Sequence, residues 1–211
     1  MLVLVTNCSP FQGGDTIWRL VPNQAGVFSI GGQIAQPTGS GPRHAVIHDG
    51  ILVTLHEFSS TITSQRIPPL GTNNSDIISN LSIVPEDQAA LPGANFSAAE
   101  VLIPSPNEAF PSVLVYASNR NEGANDDPRG DSIAVLTLDA DGKLQIVNQF
   151  FTGLKQVRGM QFGGPDNRFL VTSGVVGDGG VVVFERVGRG AEFVQVASNR
   201  DIPNFTSFVW V

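Results

Sequence analysis

Short apolar runs alternate with clusters of Gly, Pro, Asn and Asp along the whole chain. The first are LVLVTN (2–7), TIWRLV (16–21), VFSIGGQI (27–34), RHAVIH (43–48), ILVTLHEF (51–58), STITSQRI (60–67) and IISNLSIV (77–84). AAEVLIP (98–104), SVLVYASNR (112–120), SIAVLTLD (132–139), LQIVNQFF (144–151) and VRGMQFG (157–163) follow. RFLVTSGVV (168–176), GVVVFERV (180–187), EFVQVAS (192–198) and TSFVWV (206–211) complete the series. Strand-length runs bounded by turn residues predict an all-β protein. No stretch keeps a 3.6-residue period over a dozen positions, so no amphipathic helix is expected. DADGKL and GGPDNRF supply turn chemistry between successive strands.

The runs also group. A strand beginning near Arg43 is followed by one with a polar end, HEF, and then by two more. The same order restarts at Ala98, with the polar end SNR, and again at Val157, with the end TSG. The period is about 50–60 residues, as in repeat architectures. A four-stranded unit of this size cannot bury both faces alone and must stack on its neighbours. Radial stacking gives a β-propeller of four-stranded antiparallel blades. A β-sandwich is the alternative all-β reading, and the repeated strand order favours the propeller. About four blades are expected in one partial propeller domain. Residues 1–35 form an incomplete blade, 40–95, 96–153 and 154–203 form complete ones, and 204–211 hold a lone closing strand.

Composition narrows the function classes. Of 211 residues, 41% are hydrophobic and 15% charged, which favours a buried core over disorder. A net charge of −7 without a Lys/Arg cluster excludes a nucleic-acid partner. The single Cys8 allows neither an intrachain disulfide nor a multi-cysteine zinc site. No apolar run is long enough to span a membrane. The opening MLVLVTNCSPF lacks a basic n-region and has a short apolar run, so it is read as a strand and the compartment as cytoplasmic.

The chemistry concentrates in GSGPRHAVIHDGILVTLHEF (39–58), where Arg43, His44, His48 and Glu57 stand among apolar residues. Charged residues are seldom placed there without a partner or a task. Arg43 and Glu57 read either as a structural ion pair or as part of an anion site. His48 and His56 are read as structural. Two histidines and a glutamate do not complete a three-ligand set, so neither metal nor cofactor is expected. NEGANDDPRGD (121–131) lacks EF-hand spacing and is read as a solvated loop with a chance RGD triplet. GVVGDGG (174–180) precedes a strand, which excludes a dinucleotide fingerprint. The second ASNR (197–200) falls on the outer part of its blade and is given no site role. NCS, NNS, NLS, NFS and NFT match the glycosylation acceptor pattern, which matters only in a secreted protein.

GPRHAVIHDGILVTLHEFSSTIT, AAEVLIP, LVYASNRN, DSIAVLTLDADGKL, VRGMQFG, NRFLVTSG and GGVVVFER together resemble the seven-bladed propeller lactonase family. That family includes bacterial 6-phosphogluconolactonases and fungal carboxy-cis,cis-muconate cyclases. The resemblance runs over nearly the whole chain and looks like the family's C-terminal half. It implies that Arg43 matches an inner-strand arginine, Glu57 a glutamate at the end of the next strand, and Arg120 an arginine one blade on. These three are the expected catalytic residues. The family's inner-strand histidine of the preceding blade has no counterpart, since that strand would precede residue 1. His44, Arg158 and Glu100, all on inner strands, are the expected substrate-binding residues.

The implied activity is that of a lactonising isomerase of the carboxy-cis,cis-muconate cyclase type. A 6-phosphogluconolactonase-like hydrolase is the alternative, and a catalytically incompetent propeller serving as a binding module is a third reading. Two arginines fix carboxylates or phosphate by paired donors, and a carboxyl group or histidine moves the proton. The expected partner is a small-molecule carboxylate or lactone. Self-association through incomplete propeller edges is also expected.

Overall fold

The computed structural model describes residues 3–7, 14–72, 75–124, 127–177, 179–202 and 206–211. Cys8 and parts of the NCS, NNS and NFT matches lie outside them. The described chain is built from four antiparallel sheets, each consecutive in sequence. The first has three strands, β1 (Val3–Asn7), β2 (Thr16–Pro22) and β3 (Phe28–Ala35). The second has β4 (Pro42–His48), β5 (Ile51–His56), β6 (Thr61–Arg66) and β7 (Ile77–Ser82). The third has β8 (Phe96–Leu102), β9 (Leu114–Asn121), β10 (Ser132–Leu138) and β11 (Leu144–Phe151). The fourth has β12 (Lys155–Gly163), β13 (Phe169–Val176), β14 (Gly180–Val187) and β15 (Glu192–Asn199). A single turn of helix, α1 (Glu86–Ala89), interrupts the second connection.

Each sheet is a blade of a propeller, because neighbouring sheets bury apolar side chains against one another. Ile17, Ile34 and Leu52 fill the space between the first and second. Val53, Leu55, Ile62, Val101, Val115 and Leu136 belong to the larger core between the second and third. Tyr116, Val135, Met160, Phe162, Leu170 and Phe184 lie between the third and fourth. The middle strands β5 and β9 are buried over their whole length. Strands covered on both faces lose polar alternation and read as largely apolar runs, as in ILVTLH and LVYASN, whose few polar residues are buried as well.

Two expectations need correction. TSFVWV forms no strand. A strand requires a hydrogen-bonded ladder, and no described strand pairs with 206–211. Instead the segment runs beside β12, with the Thr206 backbone over Gly159 and the Trp210 ring over Gly163, where any side chain would collide. Trp210 also stacks on Phe169, ring centres 6.4 Å apart. Nor is the 121–131 loop solvated throughout. Asp127 is 9% and Asp131 4% exposed. Asp127 is held by Arg129, which also reaches Asp87 and lies 3.8 Å from the Phe151 ring centre. Asp131 is turned inward to backbone N–H groups, so the RGD triplet is a structural corner.

Candidate active site

Three inner strands share one irregularity. In β4 the ladder pairs Pro42 with His56 and His44 with Leu55, leaving Arg43 as an extra residue. In β12 it pairs Val157 with Gly174 and Gly159 with Ser173, leaving Arg158. In β8 it jumps from Ala98–Asn119 to Val101–Ala117, so Ala99 and Glu100 oppose Ser118 alone. Each is a β-bulge, which bends the strand and re-aims a side chain. The register makes Arg43, Ala99 and Arg158 equivalent, and likewise His44, Glu100 and Gly159.

The bulges of β4 and β8 lie beside the ends of β5 and β9, and there the charges meet. Arg43 Nη1 donates to both oxygens of Glu57, at 3.0 Å each, and Nε donates to the Ala99 carbonyl at 2.8 Å. The Thr6 hydroxyl donates to the Arg43 carbonyl at 2.6 Å and fixes the backbone. Arg120 reaches Glu57 from the other side, its Nη2 donating to Oε1 at 2.6 Å. Its remaining donors go to Ser97 Oγ, the Ser97 carbonyl and Glu122 Oε1. The result is a line of alternating charge, Arg43–Glu57–Arg120–Glu122, crossing from the second blade to the third. Next to it, His44 Nδ1 lies 3.2 Å from Glu100 Oε1.

Burial separates the members of this line. The side chain of Arg120 is 3% exposed, Glu57 17%, Arg43 18% and His44 42%. Arg120 points every nitrogen at a protein acceptor, so it holds Glu57 in place and presents nothing outward. Arg43 commits Nε and Nη1, while Nη2 has no hydrogen-bond partner among the described residues. Arg158 is exposed and makes no ion pair there. Sequence reasoning grouped Arg43 with Arg120 as two anion-facing donors, and the geometry gives them different orientations.

Glu122 and Ser97 escaped the sequence reading, though Glu122 follows Arg120 by two positions in SNRNE. Asp15 and Asp131 also escaped it. Asp15 immediately precedes β2 and Asp131 immediately precedes β10, and each accepts an N–H group at or just before the first strand of the next blade. Asp15 binds the N–H of Gly39 at 2.7 Å and of Gly41 at 3.0 Å. Asp131 binds those of Asn121 at 3.0 Å and Val157 at 2.9 Å. The internal repeat GDTI (14–17) and GDSI (130–133) was the available signal. Burial works against ionisation of Asp15, yet the N–H groups of residues 39–41 and His56 hold its carboxyl below the usual range. Burial raises Asp131 to about 6, against the pull of its N–H donors and Arg120.

Other polar groups are tied to the protein itself. His56 is buried, with Nε2 2.9 Å from Thr63 Oγ1, and burial pushes it down to about 4 against the attraction of Asp15. His48 stands at the opposite end of β4, beside the turn to β5, 3.5 Å from the exposed Asp49. A cleft of about 440 Å³ is lined by Gly153, Lys155, Val176, Gly177, Gly179 and Arg200. Arg200 donates to the carbonyls of Gly179 and Gly153, which makes it a brace between loops.

Comparison with known proteins fits this architecture. A probable 6-phosphogluconolactonase of Arthroderma benhamiae is 29% identical over 172 residues, covering 78% of this chain and 40% of that protein. A crystal structure from Lactobacillus plantarum superposes with a TM-score of 0.74 at 20% identity, covering 98% of this chain and 57% of that one. A putative 6-phosphogluconolactonase from Bacteroides fragilis gives 0.71 at 17% identity, with the same coverage of 98% and 57%. The chain thus spans between two fifths and three fifths of the length of these proteins. With residues 12–210 matching the family model described as lactonase, 7-bladed beta-propeller, the chain belongs to that family.

Proposed function

We propose that this chain carries the anion-facing part of a site that hydrolyses an anionic sugar lactone. Arg43 and Arg158 receive the acid or phosphate group, and Glu57 with Arg120 forms the frame that aims Arg43. The observation that carries this reading is Arg43 itself. It sits on a bulge, is locked on one side by Glu57 and Ala99, and keeps a guanidinium nitrogen for a ligand. Planar guanidinium donors suit carboxylate and phosphate. The names of the relatives support a lactone as substrate, since they include 6-phosphogluconolactonases and a periplasmic gluconolactonase from Pseudomonas aeruginosa.

Lactonising cyclisation rests on the resemblance of Arg43, Glu57 and Arg120 to the muconate cyclases, and one assay separates the two readings. The purified chain is given 6-phosphogluconolactone and, separately, 3-carboxy-cis,cis-muconate. Turnover of the lactone above its spontaneous rate is expected. Arg43→Ala should lower kcat/KM by about 10²-fold, the scale of one lost donor to a developing anion. Turnover of the muconate alone would favour cyclisation. Turnover of neither would leave a binding module.

A further inference from the structure

Lactone hydrolysis needs a base to take a proton from water, and Glu57 is poorly placed for it. Its Oε1 already accepts from Arg43 at 3.0 Å, from Arg120 at 2.6 Å and from Ser97 Oγ at 3.4 Å, and Oε2 accepts from Arg43. Such a carboxylate serves as a counter-ion. The neighbouring pair is arranged differently. Arg43 and His44 are consecutive, and both reach onto consecutive residues of the adjacent inner strand, Ala99 and Glu100.

We infer that His44 is the general base that activates the hydrolytic water and that Glu100 is its positioning residue. The inference rests on the lactone reading above. A carboxylate only accepts, so Glu100 Oε1 holds the hydrogen of His44 on Nδ1 and leaves the Nε2 lone pair outward. Nε2 has no hydrogen-bond partner among the described residues, and the ring is 42% exposed. Glu100 is itself held. Its backbone N–H donates to Ser118 Oγ at 3.0 Å, and its Oε1 accepts the Val101 N–H at 3.3 Å. A half-exposed base on a fixed carboxylate is the arrangement that orients an imidazole for proton transfer.

The bond changes balance with water and lactone alone. Water adds its oxygen to the lactone carbonyl carbon while its proton moves to His44 Nε2. The tetrahedral oxyanion collapses, the bond from that carbon to the ring oxygen breaks, and the ring oxygen takes the proton back from Nε2. The product is the open-chain hydroxy acid. In the fourth blade the equivalent of His44 and Glu100 is Gly159, whose side-chain space is taken by the Thr206 backbone. The pair therefore belongs to the boundary between the second and third blades.

The test compares the purified chain with His44→Gln and Glu100→Gln on 6-phosphogluconolactone, after subtraction of the spontaneous rate. His44→Gln should lower kcat by about 10²–10⁴-fold with little change in KM. Glu100→Gln should lower it by roughly tenfold or more and change the acid limb of the pH profile. In parallel, ¹⁵N spectra of the wild-type imidazoles should show His44 carrying its hydrogen on Nδ1, and Glu100→Gln should shift that tautomer. Lactone turnover that survives His44→Gln, or a wild-type His44 protonated on Nε2, overturns the base and leaves the lactone reading standing. No turnover by the wild-type chain overturns both.

Discussion

Arg120 and Arg168 show how differently two arginines with carboxylate partners contribute. Arg168 meets Glu185 at 3.1 Å, with side chains 47% and 31% exposed. Such a surface pair contributes at most about 1 kcal/mol. Arg120 is 3% exposed and satisfies Glu57, Ser97 and Glu122 together. Removing a member of a buried charge network costs up to about 3–5 kcal/mol, and here the loss is smaller because Glu57 keeps Arg43 as a partner. Arg120→Leu should therefore shift the urea midpoint far more than Arg168→Leu. Arg120→Lys should recover little, because one ammonium cannot reproduce the fork.

At the same scale, two buried groups oppose each other as pH changes. His56 is lowered from 6.5 to about 4, so the unfolded chain binds the extra proton between those values and stability rises with pH across them. Asp131 is raised from 3.8 to about 6, so the folded chain binds the extra proton and stability falls as pH rises across that range. Each effect is of order 3 kcal/mol. The two largely cancel between pH 4 and 6. Denaturation of the wild type across this interval should give a nearly flat profile. Asp131→Asn should expose the rising slope and His56→Gln the falling one. A steep wild-type profile would show that one of the two groups titrates near its ordinary value in the folded chain.

At the scale of elements, most strands and their grouping were legible in the sequence. Runs such as ILVTLH and LVYASN could be read because burial on both faces removes the polar alternation and leaves them largely apolar. The closing strand was misread for a related reason. TSFVWV has strand composition, but a strand is defined by its neighbour, and composition carries no information about which neighbour is present. The bulges were invisible as well. Nothing in GPRH, SAAEV or QVRG marks an extra residue, because a bulge is a mismatch between two strands. Sequence therefore named Arg43, His44, Glu57, Glu100, Arg120 and Arg158 but could not divide them. The division between Arg120, turned inward, and Arg43, half free, follows from where each strand ends and what its backbone leaves unpaired.

For the whole molecule, the blades are joined by two kinds of polar link over their apolar cores. Asp15 fastens the first blade to the second, and Asp131 the third to the fourth. At the boundary between the second and third, Ser60 takes the equivalent place. It shares the positive φ of Asp15, 49° against 48°, and its buried hydroxyl has no hydrogen-bond partner among the described residues. That boundary is spanned instead by Arg43–Ala99, His44–Glu100 and Glu57–Arg120. The groups of the proposed site are thus also a seam between blades.

A seam has mechanical meaning. Stretched by its two ends in an optical trap, the chain should yield blade by blade, each of about 55 residues releasing roughly 19 nm. Arg43→Ala should lower the force of one of these steps and leave the others unchanged. An anion seated on Arg43 should raise that same step, so that occupancy of the site is read as tension.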